Sequence, residues 1–155
     1  MQVKDCMKRN VVSVPSSATI ASAAGIILRH RVGVLPVLDE HGKPVGVLQL
    51  SDLLSLEFPD FVKLVADVDF VHDFGAVETT RPLPELLAHP VTELMQPMIT
   101  VGEDSGLLRA YALMIQHNVL DVPVVNASEE LVGIASRVDI GTAILSNWSL
   151  EAKKP

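Results

Sequence analysis

Shifted by 87 residues, the chain matches itself. Residues 12–52 overlie residues 99–139 without a gap, and nine of those 41 pairs are identical. They are Val14/Val101, Ala23/Ala110, His30/His117, Val32/Val119, Pro36/Pro123, Val37/Val124, Val45/Val132, Gly46/Gly133 and Asp52/Asp139. Other pairs keep apolar character, such as Ile20/Leu107, Ile27/Met114 and Leu28/Ile115. A repeat of this length means two copies of one supersecondary unit, so any fold must accommodate the unit twice.

Both copies follow one pattern. A short extended run (11–14 or 99–101) leads into a turn cluster, Pro15-Ser16-Ser17 or Gly102-Glu103-Asp104-Ser105. An amphipathic helix follows, with Ile20, Ala23, Ala24, Ile27 and Leu28 on one face of the first and Leu107, Ala110, Tyr111, Met114 and Ile115 on one face of the second. Residues 32–38 and 119–125 then read as buried strands. A polar turn and a further strand (44–50 or 131–135) lead to a second helix near Ser51 or Ser136. The fold class is therefore α/β in the α+β sense, two β-α-β-β-α repeats. A unit of about 50 residues is small for independent stability, so the two are expected to pack as one pseudo-twofold module. The expected boundaries are 1–56 for the first repeat, 57–90 for a connector, 91–148 for the second repeat and 149–155 for a tail. Phe61, Leu64, Val65 and Val68 fall at helical spacing, which predicts a helix over about 59–71 in the connector.

Composition narrows the function classes. Asp and Glu (19) outnumber Lys and Arg (12), giving a net charge of -7, which argues against coating nucleic acid. One cysteine, Cys6, precludes an internal disulfide and points to a reducing, cytoplasmic setting. The first ten residues carry four charges and no apolar signal core, and no stretch suits a membrane span. No nucleotide-binding Gly-Lys loop, His-Glu-x-x-His pattern or serine with a recognisable base partner occurs, so no enzyme is expected. Asp67, Asp69, His72, Asp73 and Glu78 form an acidic patch in the connector that reads as a solvated face, with no metal site expected.

The chemistry concentrates where the last strand of each repeat meets its second helix. In the second repeat Ser136 can cap that helix, and Asp139 falls at its third position. A helix start offers N–H groups and partial positive charge to an anion, and a carboxylate can accept two hydroxyls at once. The first repeat keeps Asp52 but has the bulkier Gln49 where Ser136 stands. His30 and Arg31 end the first long helix, where cations favour the dipole and where Arg can also hold a phosphate. Arg137 can contact phosphate or point into water, and Cys6 reads as a small buried hydrophobe.

Two segments carry a family resemblance in matching register: RHRVGVLPVLD with VGVLQLSDLL, and QHNVLDVPVVN with VGIASRVDIG. The chain resembles a tandem pair of CBS domains, a Bateman module. The resemblance covers both repeats but not the connector. It implies a regulatory module without catalysis that binds an adenine nucleotide (AMP, ADP or ATP, with or without magnesium) and signals to a protein partner. It implies no required cofactor. It places Ser136 on the phosphate side and Asp139 on the ribose, with Arg137, His30, Arg31, Val32, Gly33 and Pro36 completing that site across the repeats. A weaker second site takes Asp52, Gln49, Val119, Leu120 and Thr100. Similar modules form homodimers, and the second helices, with Leu53, Leu54, Leu56, Ile140, Ile144, Leu145 and Trp148, would supply the face. The alternatives are a ligand-free homodimerising interaction module and an S-adenosylmethionine sensor.

Overall fold

A computed structural model describes residues 1–56 and 82–150. The connector helix expected over 59–71 and the acidic patch lie outside the described residues. Each repeat forms a three-stranded sheet. The first is ordered β1 (Val14–Pro15), β2 (Val34–Leu38), β3 (Pro44–Gln49), and the second β4 (Val101–Gly102), β5 (Asp121–Val125), β6 (Leu131–Ser136). The helices are α1 (Ile20–His30), α2 (Leu50–Leu54), α3 (Pro84–Leu87), α4 (Leu107–Gln116) and α5 (Arg137–Leu145). The α+β class and the β-α-β-β-α order of the repeats are as the sequence predicts.

A proline lies at the middle of both central strands, an unusual place because proline cannot donate to a ladder. The flanking strands explain why it is tolerated. β1 pairs parallel to β2 only at Val37 and Leu38, and β4 to β5 only at Val124 and Val125. Both short strands begin one residue beyond the proline. Pro36 itself is fully buried in β2.

α1 begins at Thr19, whose hydroxyl accepts the Ser22 N–H at 3.1 Å. It ends where Arg31 turns left-handed (φ 52°), and Asn118, its repeat mate just after α4, has the same φ of 52°. Asparagine tolerates that region, whereas an arginine there is strained. Ile20, Ala23 and Ile27 of α1 are buried, as are Leu107, Ala110 and Met114 of α4. The faces are narrower than predicted. Leu28 is 79% exposed and its mate Ile115 is 52% exposed, because each lies one position past the last buried turn.

The chain divides into two compact units that do not follow the repeat boundaries. One unit comprises Met1–Val11, His41–Pro44 and the described part of Met98–Pro155; the other comprises Val12–Glu40 and the described part of Val45–Pro97. The segment leading into each repeat thus belongs to the unit built on the other. In the first unit Val3 and Met7 join Val101, Leu107, Ala110, Met114, Val122, Val124 and Ile140 in one core. In the second, Val91 joins Val14, Ala23, Ile27, Leu35, Val37 and Leu48, with Met95 packed against them.

Backbone ladders hold these leading segments. Lys8 exchanges two hydrogen bonds with Ile134, both at 2.9 Å, and Gln96 does the same with Val47 at 2.8 and 3.0 Å. Each methionine before the bridge crosses a glycine. A Cβ on Gly133 would come 2.5 Å from Met7 Sδ and 3.0 Å from the Lys8 carbonyl. One on Gly46 would come 2.7 Å from Met95 Sδ and 3.0 Å from the Gln96 carbonyl. The identity Gly46/Gly133 has its physical cause in this close approach.

Candidate functional site

In the first unit, β6 runs straight into α5. Ser136 keeps extended geometry (φ -91°, ψ 163°) while the next residue is helical, so its side chain folds over the helix start. Its hydroxyl oxygen accepts the Asp139 N–H at 3.0 Å, and Asp139 Oδ2 accepts the Ser136 N–H at 2.9 Å. This reciprocal cap is the one the Ser-x-x-Asp spacing predicts. It fixes the rotamer of both side chains. The Ser136 hydroxyl still has its proton to donate, and the Asp139 side chain remains 20% exposed.

The second unit has the corresponding junction between β3 and α2. Asp52 Oδ2 accepts the Gln49 N–H at 2.8 Å, so the carboxylate is held as in the other repeat. The side chain before it differs. Gln49 Oε1 accepts the Ser51 hydroxyl at 3.2 Å, so a local contact occupies its carbonyl.

Arg137 does not point into water. Its Nε donates to the Val119 carbonyl at 2.7 Å and its Nη2 to the Met114 carbonyl at 3.1 Å. These carbonyls lie at and just past the end of α4, so the guanidinium ties that helix to the start of α5. The backbone N–H of Arg137 also donates to the Leu120 carbonyl at 2.9 Å. Leu50, the repeat mate of Arg137, keeps only the backbone half, donating to the Gly33 carbonyl at 3.0 Å.

His30 and Arg31 are exposed at the end of α1, followed by half-buried Val32 and exposed Gly33. A Cβ added to Gly33 would meet nothing within 4 Å, so the protein's own packing does not require a glycine there. Among the residues assigned to the weaker site, Val119 packs against the first unit's core, Leu120 is exposed and Thr100 is exposed just before β4.

Sequence reasoning missed two charged neighbours of Asp139. Lys8 Nζ lies 3.7 Å from Asp139 Oδ2. Asp121 pairs directly with Ser136 across β5 and β6. Burial pushes the Asp121 carboxyl above the ordinary carboxylate value, the Asp139 charge adds to this, and the Lys8 ammonium opposes it. Cys6 is half-buried, its Sγ is 3.5 Å from the Val3 carbonyl, and burial, then Asp139 and Asp5, push its thiol up. Its partial burial and raised thiol fit the small hydrophobe the sequence suggests. Among the described residues no cluster could hold a metal ion.

These elements, twice over, define a class of protein, and the comparisons give its family. The CBS-domain model matches residues 3–58 and 91–146, so the chain belongs to the CBS-domain family and carries the domain in tandem. The chain is 28% identical to CBSX2 in its crystal structure with AMP, with a TM-score of 0.68, covering 94% of this chain and 96% of that one. It is 25% identical to the CBS domain pair of MJ0100, solved with 5'-methylthioadenosine and S-adenosyl-L-methionine, with a TM-score of 0.63, covering 93% of this chain and 99% of that one. Among curated relatives, it is 28% identical over 138 residues to the L-aspartate semialdehyde sulfurtransferase of Methanocaldococcus jannaschii, covering 89% of this chain and 22% of the relative. The chain spans less than a third of the first curated relatives it matches. Among the described residues no helix is long and apolar enough to cross a membrane.

Proposed function

We propose that this chain is a regulatory CBS pair that binds an adenine nucleotide and passes the occupancy of its site to a protein partner. The observation that carries this reading is the reciprocal Ser136–Asp139 cap. It pre-orients a partly exposed carboxylate, suited to two ribose hydroxyls, beside a hydroxyl that can donate to phosphate. The solved complexes of CBSX2 with AMP and of MJ0100 with S-adenosylmethionine support an adenosine-containing ligand. We keep His30, Arg31 and Gly33 as proposed ligand residues on the family resemblance alone. The Asp52 site is proposed as the weaker of the two. Arg137 is already committed to two carbonyls, and we assign it a structural share in holding the cap.

The test is calorimetric titration with AMP, ADP, ATP and S-adenosylmethionine, with and without magnesium. Binding of an adenine nucleotide that weakens in Asp139→Ala supports the reading; no binding of any of the four ends it. Preference for S-adenosylmethionine would move the reading to the sensor alternative. No catalytic group is proposed, and turnover of a bound nucleotide would contradict that. The single cysteine keeps a cytoplasmic setting as the proposed location.

A second reading, an interaction module that forms homodimers, has its own support in exposed apolar side chains. Leu108, Ile115, Leu145 and Trp148 of the first unit and Leu28 and Leu54 of the second are all more than two-fifths exposed. The predicted face needs trimming, because Ile140 is buried and Leu53 and Ile144 pack against the cores. Sedimentation of a dilute sample only at the 16.7 kDa of one chain would count against it.

A further inference from the structure

We propose that Lys8 is the charge-selecting residue of the Asp139 site and makes it accept an anionic adenosine ligand. The inference deepens the functional reading above and rests on it.

The argument starts from strand geometry. Side chains alternate along a strand, so Ile134 and Ser136 of β6 share one face. Residues paired directly across an antiparallel ladder also share a face. Asp121 pairs with Ser136 on the β5 side of β6. Lys8 pairs with Ile134 through an isolated antiparallel bridge. Lys8, Ser136 and Asp121 therefore emerge on the same face, at the edge where α5 begins. Asp139 reaches back to that edge through its bond to the Ser136 N–H, and the Lys8 ammonium lies 3.7 Å from its Oδ2.

Without Lys8, Asp139 and Asp121 would present two carboxylates to an incoming ligand. A nucleoside monophosphate carries nearly two negative charges of its own at neutral pH. Like charges at this range oppose binding even when half solvated. The ammonium halves the local negative charge. It is 67% exposed on a flexible stem, so it can stay with Asp139 or turn toward a phosphate. The other unit shows what the device replaces. The counterpart of Lys8 there is Gln96, bridged to Val47, and the counterpart of Asp121 is Val34. Neither carries a charge, so an uncharged Gln is already compatible with this backbone bridge.

That comparison supplies the variant. Lys8→Gln installs the residue found at the corresponding position of the other unit. The backbone of residue 8, not its side chain, makes the bridge to Ile134, so an unchanged thermal midpoint should accompany the change. Calorimetric titration would use AMP and the neutral probe adenosine on the parent, Lys8→Gln, Lys8→Arg and Asp121→Asn. The ratio of AMP to adenosine affinity is expected to fall about three- to tenfold in Lys8→Gln and to return close to the parent's in Lys8→Arg. Asp121→Asn should raise that ratio by about two- to fivefold, since it removes one of the repelling carboxylates. Equal losses for AMP and adenosine in Lys8→Gln would overturn the assignment and leave the Asp139 site standing. A parent protein that binds neither probe would overturn the functional reading itself, and the assignment with it.

Discussion

The two repeats hold their acidic residues in nearly the same way and surround them differently. Asp139 and Asp52 each accept the backbone N–H three residues before them, at 2.9 and 2.8 Å. Around Asp139 stand a capping hydroxyl, a lysine, a second carboxylate and an arginine clamp. Around Asp52 the corresponding residues are Gln49, Gln96, Val34 and Leu50. The backbone frame has been kept twice, while polar chemistry has been placed on one copy. Duplication supplies the scaffold, and a handful of side chains make the two copies chemically different.

The largest expected effect separates the two aspartates. Asp139→Ala should weaken adenine-nucleotide binding by about 1.5–3 kcal/mol, tenfold or more, and by more than Asp52→Ala does. Both variants lose the same cap bond, so each serves as the other's control for helix stability. Titration of the pair against AMP decides it, and a larger loss in Asp52→Ala would reverse the ranking.

The methionine crossings should behave alike in both units. Gly133→Ala and Gly46→Ala each force a methyl against a methionine sulfur that can move and a carbonyl that is held in a ladder. Each should cost about 1–3 kcal/mol, read as a lower denaturation midpoint. If one is neutral, the leading segment of that unit is not seated as described.

The clamp is a sharper discriminator. Arg137→Leu gives the second repeat the residue of the first and leaves the Val119 and Met114 carbonyls without their side-chain donor. A loss of about 1–2 kcal/mol is expected. Leu50→Arg in the first repeat has no such expectation of gain, because a single substitution does not create the rest of the clamp. A stability of Arg137→Leu equal to the parent's would make the guanidinium dispensable for the fold.

The smallest effect is one of pH. Asp121 holds its proton more tightly folded than unfolded, chiefly because of burial. Its ionisation therefore opposes folding: the penalty is absent below the ordinary value of 3.8 and appears as pH rises through the folded value. Asp121→Asn should raise the thermal midpoint at neutral pH, and that advantage should shrink as pH falls toward 3.8 and be gone below it. An advantage independent of pH would assign the effect to packing.

Much of this architecture was legible because it rests on local rules. Apolar periodicity located α1 and α4, and the Ser-x-x-Asp spacing located the cap on α5, since these depend on neighbours three or four residues away. The strands expected over 32–38 and 44–50, and over 119–125 and 131–135, are found within two residues of those bounds, because turn residues separate runs of β-branched side chains. Periodicity has its own limit: it places Leu28 and Ile115 on the apolar faces of their helices, yet both are exposed, because it gives an angle around a helix and not where the packing partner stops.

By itself, then, the sequence determined a duplicated β-α-β-β-α unit, its family and a capped aspartate at each strand–helix junction, all properties of residues close together along the chain. Only the tertiary structure decided which leading segment serves which core. The residue spacing permits Met7 to cross either glycine, and the choice lies in packing between segments more than a hundred residues apart. That choice carries Lys8 to Asp139 and Gln96 to Val47. Long-range packing thus sets the charge around each carboxylate, because a side chain's partner is whatever the folded chain brings within a few ångströms.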